Sequence, residues 1–400
     1  MKTKIKLGIA GINHLNGNRG VGALAISTIY LLDEIANENN LSLELYAISN
    51  QKGLHQINVG NKKVPVHYIL SNRFDVKSII NLIKPKNLKS LLSYLKLDIV
   101  LCMGEGDSFS DIYGLQRFNS INDQHRFARL FRKKYTLLPQ TIGPFKEKKI
   151  KKKAFKSINS AFSILPRDSQ SYLYVKENTK INNISEVIDI AFCMPYAKNE
   201  FSMNYINVGL NVSALLWNGG YTKNNQFGLK SNYIDLIDET IKYFLSIPNV
   251  KLHLVPHVVL LNNNVENDYQ VTLELFDKYK NDNLILAPFF LDPIQAKSYI
   301  AGLDFFVGAR MHSCIAAFSS GVPVFPMAYS RKFNGLFKDT LQYEWMGDCV
   351  NESNDEVFTN MKDAFNNREL LFNKIKSSTE DIVKPRLILL KEKIKEIIIA

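Results

Sequence analysis

Cysteine is scarce in this chain: Cys102, Cys193, Cys314 and Cys349 are the only four in 400 residues, with no CxxC spacing. A disulfide framework or thiolate zinc site is therefore not expected, and buried thiols in a reducing, cytoplasmic setting are. Long apolar runs are missing too. No stretch approaches the ~20 residues a membrane-spanning helix needs, and the opening run at 5–10 is too short for a signal-peptide core. Internal repeats and low-complexity linkers are absent, and neither a Walker sequence nor G-x-G-x-x-G occurs. The most basic segment, 146–156, holds seven lysines, but its only aromatic is Phe155 and it has no arginine. Grooves for nucleic acid interleave aromatics with cations, so nucleic acid is not an expected partner. A solvated helix face is the plainer reading, and a peripheral contact with anionic lipid at the inner membrane face is the second.

What is present is a folded, cationic chain. Apolar residues make up 46% and charged residues 22%, the proportions of a globular protein. Fifty Lys and Arg against 38 acids give a net charge of +12, which favours acidic partners such as phosphorylated metabolites. The length exceeds one ordinary core, so two domains are expected. Apolar strand patterns at 4–11, 43–49, 98–103, 135–139 and 161–166 alternate with helical patterns, the first at 23–35. A second series follows, with strands at 206–210, 250–256, 284–287, 303–307 and 322–327 and helices at 231–245, 293–301 and 311–319. Such alternation implies α/β architecture with doubly wound, mostly parallel sheets. Two Rossmann-like halves facing a cleft, a GT-B-like layout, are expected over 1–198 and 199–350, with helices at 351–400 packing back on the first half.

The most informative segment runs from Asp304 to Val324. A strand ends at Gly308 and a helix starts near Met311, where open α/β sheets bind ligands. The helix start attracts anions. Arg310 adds a planar fork for carboxylate or phosphate, and His312 adds a proton-exchanging group; the plainer alternative pairs Arg310 with an acid across the domain and leaves His312 to cap a hydrogen bond. His257 ends another strand; a hydrogen-bonded structural role is the plainer reading, and a place at the same site the second. Asp268, in a polar stretch, is expected to be solvated or to orient a substrate hydroxyl. In the first half, residues 104–114 join strand to helix through glycines and aspartates, which suits sugar hydroxyls or a general base.

Taken in order, Asn18-Arg19-Gly20, Gly104 to Gly114, Pro139 to Pro144, Arg167-Asp168-Ser169, Asp189 to Phe192, Pro256-His257, Gly308 to His312, Gly321-Val322-Pro323 and Tyr329 to Lys332 resemble the polysaccharide pyruvyl transferase family. The resemblance covers roughly residues 8–337. It implies a GT-B-like fold and transfer of pyruvate, as a ketal, from phosphoenolpyruvate to a sugar of a surface polysaccharide or its lipid-linked precursor. Phosphoenolpyruvate is then a co-substrate, and no cofactor or metal is expected. Catalysis falls to His312 as acid, Arg310, and Asp107 as base. Donor binding falls to Arg310, His312, Lys332, Tyr329 and His257, and acceptor binding to Asn18, Arg19, Gly106, Asp107, Asp111 and Tyr113. One departure is Gly20-Val21-Gly22, where many members carry an acid. Two rivals are a nucleotide-sugar glycosyltransferase and a non-catalytic glycan- or membrane-binding protein. The first would want a ribose-binding carboxylate after Gly321, yet residues 322–336 contain neither Asp nor Glu.

Overall fold

The structure, a computed structural model, describes residues 4–49, 51–70, 85–104, 109–262 and 264–400. The chain forms two compact units: Met1–His14 with Leu24–Met194 and Lys384–Ala400, and Leu15–Ala23 with Pro195–Val383.

The first unit is built on a seven-stranded sheet of order β3-β4-β2-β1-β5-β6-β7. Its strands are β1 (Ile5–Ala10), β2 (Leu43–Ser49), β3 (Gly53–Val59), β4 (Lys62–Leu70), β5 (Ile99–Cys102), β6 (Lys134–Gln140) and β7 (Ser163–Pro166). All neighbours pair parallel except β3 with β4. Strands β5 and β7 are buried at every position, the continuous apolar signature of a sheet covered on both faces. The covering helices are α1 (Arg19–Glu38), α2 (Pro85–Leu95), α3 (Leu115–Leu130), α4 (Lys148–Asn159) and α5 (Ser169–Asn178). An aromatic cluster with Phe109, Phe118, Phe127 and Tyr135 at its centre fills one layer, each ring contributing roughly 1.5–3 kcal/mol on burial.

The second unit carries an all-parallel six-stranded sheet of order β10-β9-β8-β11-β12-β13. These strands are β8 (Ile206–Asn211), β9 (Val250–Leu254), β10 (Leu284–Leu286), β11 (Phe305–Gly308), β12 (Val324–Ala328) and β13 (Gly347–Asp348). Helices α6 (Tyr233–Leu245), α7 (Asp268–Tyr279), α8 (Pro293–Ala301), α9 (Met311–Ser319), α10 (Asn354–Asn366) and α11 (Arg368–Ser378) cover it. Phe365 of α10 meets Phe244 of α6 and Phe305 of β11 at 5.1 and 5.5 Å between ring centres.

Three expectations need correction. Strands β3 and β4 were not anticipated, because β3 alternates exposed and buried residues at a sheet edge and so lacks the apolar run of the inner strands. Helix α1 starts at Arg19 rather than at 23, because Asn18 Oδ1 accepts the Gly20 amide at 3.0 Å and caps it despite two glycines. The stretch 351–400 is not one body: α10 and α11 belong to the second unit, and α12 (Lys384–Ile399) to the first. Arg386 of α12 donates to Glu186 at 2.7 Å, and Leu390 and Ile394 are buried. Among the described residues no helix is long and apolar enough to cross a membrane. On α4 the lysines, save half-buried Lys151, are exposed, while Ile150, Ala154 and Ile158 face the core.

His125 of α3 lies fully buried, edge-on to Phe109 and stacked on Tyr135. Neither ring nitrogen has a hydrogen-bond partner among the described residues. Burial, aided by Arg129, lowers its pKa to about 3. The unfolded chain takes up this proton near the ordinary value of about 6.5, so stability is lost as pH falls from there towards 3. At pH 5 the loss from this residue is about 2 kcal/mol. His125→Phe should therefore narrow the difference in denaturation midpoint between pH 7.5 and pH 5. An unchanged difference would remove His125 from the acid response.

Candidate functional site

In the second sheet the chain runs from β8 outward to β9 and β10, then returns to β11 beside β8. The gap beyond the carboxyl ends of β8 and β11 is thus a topological switch point, the usual ligand position in open α/β sheets. Asn211, the last residue of β8, ties this end together. Its amide donates to the Val255 carbonyl at 3.0 Å, and its Oδ1 accepts from the Arg310 amide at 3.0 Å and the Ser313 hydroxyl at 3.3 Å. Arg310 caps α9.

Asp268, the first residue of α7, is wholly buried, not a solvated loop residue. It accepts from Arg310 Nη2 at 2.8 Å and from Nε at 3.2 Å to each oxygen. It also accepts the amides of Ala214 at 2.9 Å, Val258 at 3.0 Å and His257 at 3.3 Å. Arg310 Nη2 donates further to the Glu266 carbonyl at 3.0 Å, and Nη1 lies 3.7 Å from the Glu266 carboxylate. Burial opposes the charge of Arg310, yet Asp268 outweighs it and raises the pKa. The fork expected to face an anion is therefore engaged within the unit, because a buried guanidinium is stable only when paired.

His312 follows on the first turn of α9, half-buried. A Cβ on Gly20 would lie 2.5 Å from His312 Nδ1, so only glycine lets the imidazole rest against the first turn of α1. The same turn carries Asn18, which bridges to Val258, and Arg19, whose amide donates to the His257 carbonyl at 3.0 Å. Both were expected on the acceptor side in the first half; residues Leu15–Ala23 belong instead to the second unit. His257 is buried and neither of its ring nitrogens has a partner among the described residues. Burial first, then the nearby His312, Arg310 and Arg19, push its pKa well below the ordinary range, so it is neutral near pH 7. Tyr329, just past β12, is buried, with its ring against Phe227 and Phe333. The Lys332 ammonium sits 5.3 Å from the centre of its ring. The structure thus gathers Asn18, Arg19, His257, Arg310, His312, Tyr329 and Lys332 within one unit.

The remaining candidates belong to the first unit. Gly106 and Asp107 lie outside the described residues. Asp111 Oδ2 accepts the amides of Lys146 and Glu147 at 2.7 and 3.1 Å, which anchors the start of α4. Tyr113 is half-buried. Gly104 (φ +72°) presents its backbone to Gln140, where a Cβ would meet Oε1 at 2.3 Å. Arg167 pairs with Asp189 at 2.5 Å and donates to Thr141, which donates to Asp168 at 3.1 Å. These motif residues brace the ends of β6 and β7 from inside. Among the described residues, no three His, Cys, Asp or Glu converge to hold a metal.

The family model for polysaccharide pyruvyl transferase matches residues 18–331. The chain belongs to the polysaccharide pyruvyl transferase family. The family is one of transferases, and the matched span holds every gathered site residue except Lys332. No curated protein sequence matches. Solved structures similar in fold include sucrose-phosphate synthase from Thermosynechococcus elongatus, at 9% identity and TM-score 0.59 over 98% of each chain. UDP-GlcNAc 2-epimerase from Neisseria meningitidis bound to UDP-GlcNAc is similar at 11% identity and TM-score 0.57, over 99% of this chain and 100% of that one. The epimerase from Methanocaldococcus jannaschii follows at 12% and 0.52, over 95% and 93%. The fold is of the GT-B type with two Rossmann-like units.

Sequence reasoning missed Asn211 and the commitment of Asp268 to Arg310. A polar residue ending an apolar strand was the available signal for Asn211. For Asp268 there was none, since its partner lies 42 positions away.

Asp268→Asn keeps the shape but leaves a buried cation uncompensated. It should destabilise the second unit by about 3–5 kcal/mol. The double variant Asp268→Asn/Arg310→Gln should lose less than the sum of the single losses. Denaturant titration of the four proteins measures the coupling, and strict additivity would deny the pair its role.

Proposed function

We propose that this family member transfers pyruvate from phosphoenolpyruvate to a sugar of a surface polysaccharide or its lipid-linked precursor, with the His312 imidazole as proton donor. The reading is carried by one observation: an imidazole stands on the first turn of a helix at the switch point, beside a buried cluster rich in cations. The donor has a carboxylate and a phosphate. The positive end of α9 suits one of them, and Lys332, with Tyr329 beneath it, borders the same strand ends. Arg310, fixed by Asp268, acts mainly by holding the helix start and the wall around it.

The chemistry balances without an external cofactor. The imidazolium of His312 delivers a proton to C3 of the enol while a sugar hydroxyl bonds to C2. The hydroxyl proton passes to a base, the role read for Asp107. The C2–O bond to phosphate then breaks, phosphate leaves with the bonding pair and takes up the proton held by the base, and the second sugar hydroxyl adds to the oxocarbenium carbon, giving its proton to the now neutral His312 as the ketal closes. Asp111 is left out of this scheme, since its carboxylate is held by backbone amides. Asn18 caps α1 through its side chain, and Tyr113 remains an acceptor candidate. The exposed lysine face of α4 would suit a lipid-linked acceptor at an anionic membrane. A nucleotide-sugar transferase is disfavoured by the absence of any carboxylate in residues 322–336.

Phosphate release from phosphoenolpyruvate should depend on added glycan acceptor. His312→Ala should lower kcat by a factor on the order of 10²–10⁴ with the melting temperature unchanged. Turnover near the wild-type rate in that variant would reject the catalytic assignment.

A further inference from the structure

Arg19 is a buried cation of the second unit with no ion pair among the described residues. It is only 4% exposed, and its guanidinium donates to a backbone carbonyl where Arg310 meets a carboxylate. Its Nη1 donates to the Asn16 carbonyl at 3.0 Å, and its Nε has no partner among the described residues. Burial pulls its pKa down, while Asp292 pulls it up from beyond ion-pair distance; the Asp292 side chain meanwhile caps α8 by accepting the Gln295 amide. A guanidinium buried this far is costly unless an anion completes it. Arg310 has its anion in Asp268.

The groups around Arg19 are of one kind. His257, whose carbonyl holds the Arg19 amide, keeps both ring nitrogens buried and without a partner among the described residues. Next along the chain, Gly20 brings the first turn of α1 against His312 on the first turn of α9. Two positive helix ends, a guanidinium without an ion pair among the described residues and a neutral imidazole able to donate one N–H therefore converge. A guanidinium meets phosphate oxygens through parallel N–H bonds, and more strongly than neutral donors do.

We infer that Arg19, assisted by His257, is the principal ligand for a dianionic phosphoryl group, and that Arg310 is a positioning residue that shapes this site without binding the anion through its engaged edge. The identity of the ligand as the phosphate of phosphoenolpyruvate rests on the pyruvyl-transfer reading. The anion site itself does not.

The experiment follows inorganic phosphate on the full-length protein by calorimetry and thermal shift, in wild type, Arg19→Gln and Arg19→Lys, with phosphoenolpyruvate turnover measured in parallel. Wild type should bind phosphate and rise in melting temperature with it. Arg19→Gln should weaken phosphate binding at least about tenfold, the scale of one charge-assisted contact, and without phosphate should melt no lower than wild type. Arg19→Lys should fall between them. In turnover, Arg19→Gln should raise KM for phosphoenolpyruvate more than it lowers kcat. Phosphate binding within about twofold of wild type in Arg19→Gln, or an unchanged KM there, overturns the inference while leaving pyruvyl transfer standing. Arg19-dependent phosphate binding in a protein that does not consume phosphoenolpyruvate supports the anion site and refutes the pyruvyl reading instead.

Discussion

The buried ion pair between Asp268 and Arg310 is the constraint on which the second unit's site depends. One carboxylate receives a guanidinium from the helix start after β11 and three backbone amides from two other segments. Neither charge is tolerable there alone. Their pairing therefore fixes together the start of α7, the His257 turn and the start of α9. Asn211 repeats the logic with neutral hydrogen bonds, joining the same turn to the same helix. What results is a rigid frame on which His312 is presented without itself supplying the frame.

That division of labour alters how the Arg-x-His motif is understood. Two residues apart in sequence, the arginine and the histidine face different tasks. Arg310 turns inward to satisfy Asp268, and His312 lies against Gly20. Arg19, at the start of another helix, has no ion pair among the described residues. On the inference drawn for that residue, an anion would play there the part that Asp268 plays for Arg310.

In the first unit the motif residues play a comparable supporting part. Arg167, Asp189, Thr141 and Asp168 are joined beneath the ends of β6 and β7. Gln140 occupies the space that Gly104 leaves free. These contacts give several of the spaced motif segments a structural task inside the unit. They hold together the ends of β6 and β7, and Gln140 at the end of β6 packs against Gly104 after β5.

By itself the sequence determined the alternating α/β order, the covered strands and the start of α9, because buried parallel strands and helix faces write their burial into local apolar patterns. It also determined which residue types could carry chemistry. It did not reveal β3, whose alternating edge pattern resembles a polar loop, or β4 beside it, although the Gly60-Asn61 turn between them was a usable hairpin signal. Only the tertiary structure decided that Asp268 answers Arg310, that Arg19 joins the second unit, and that Asp111 is taken up by backbone amides. Pairing of buried charge is settled by distances between residues far apart along the chain. No local pattern records which of two arginines will find its carboxylate.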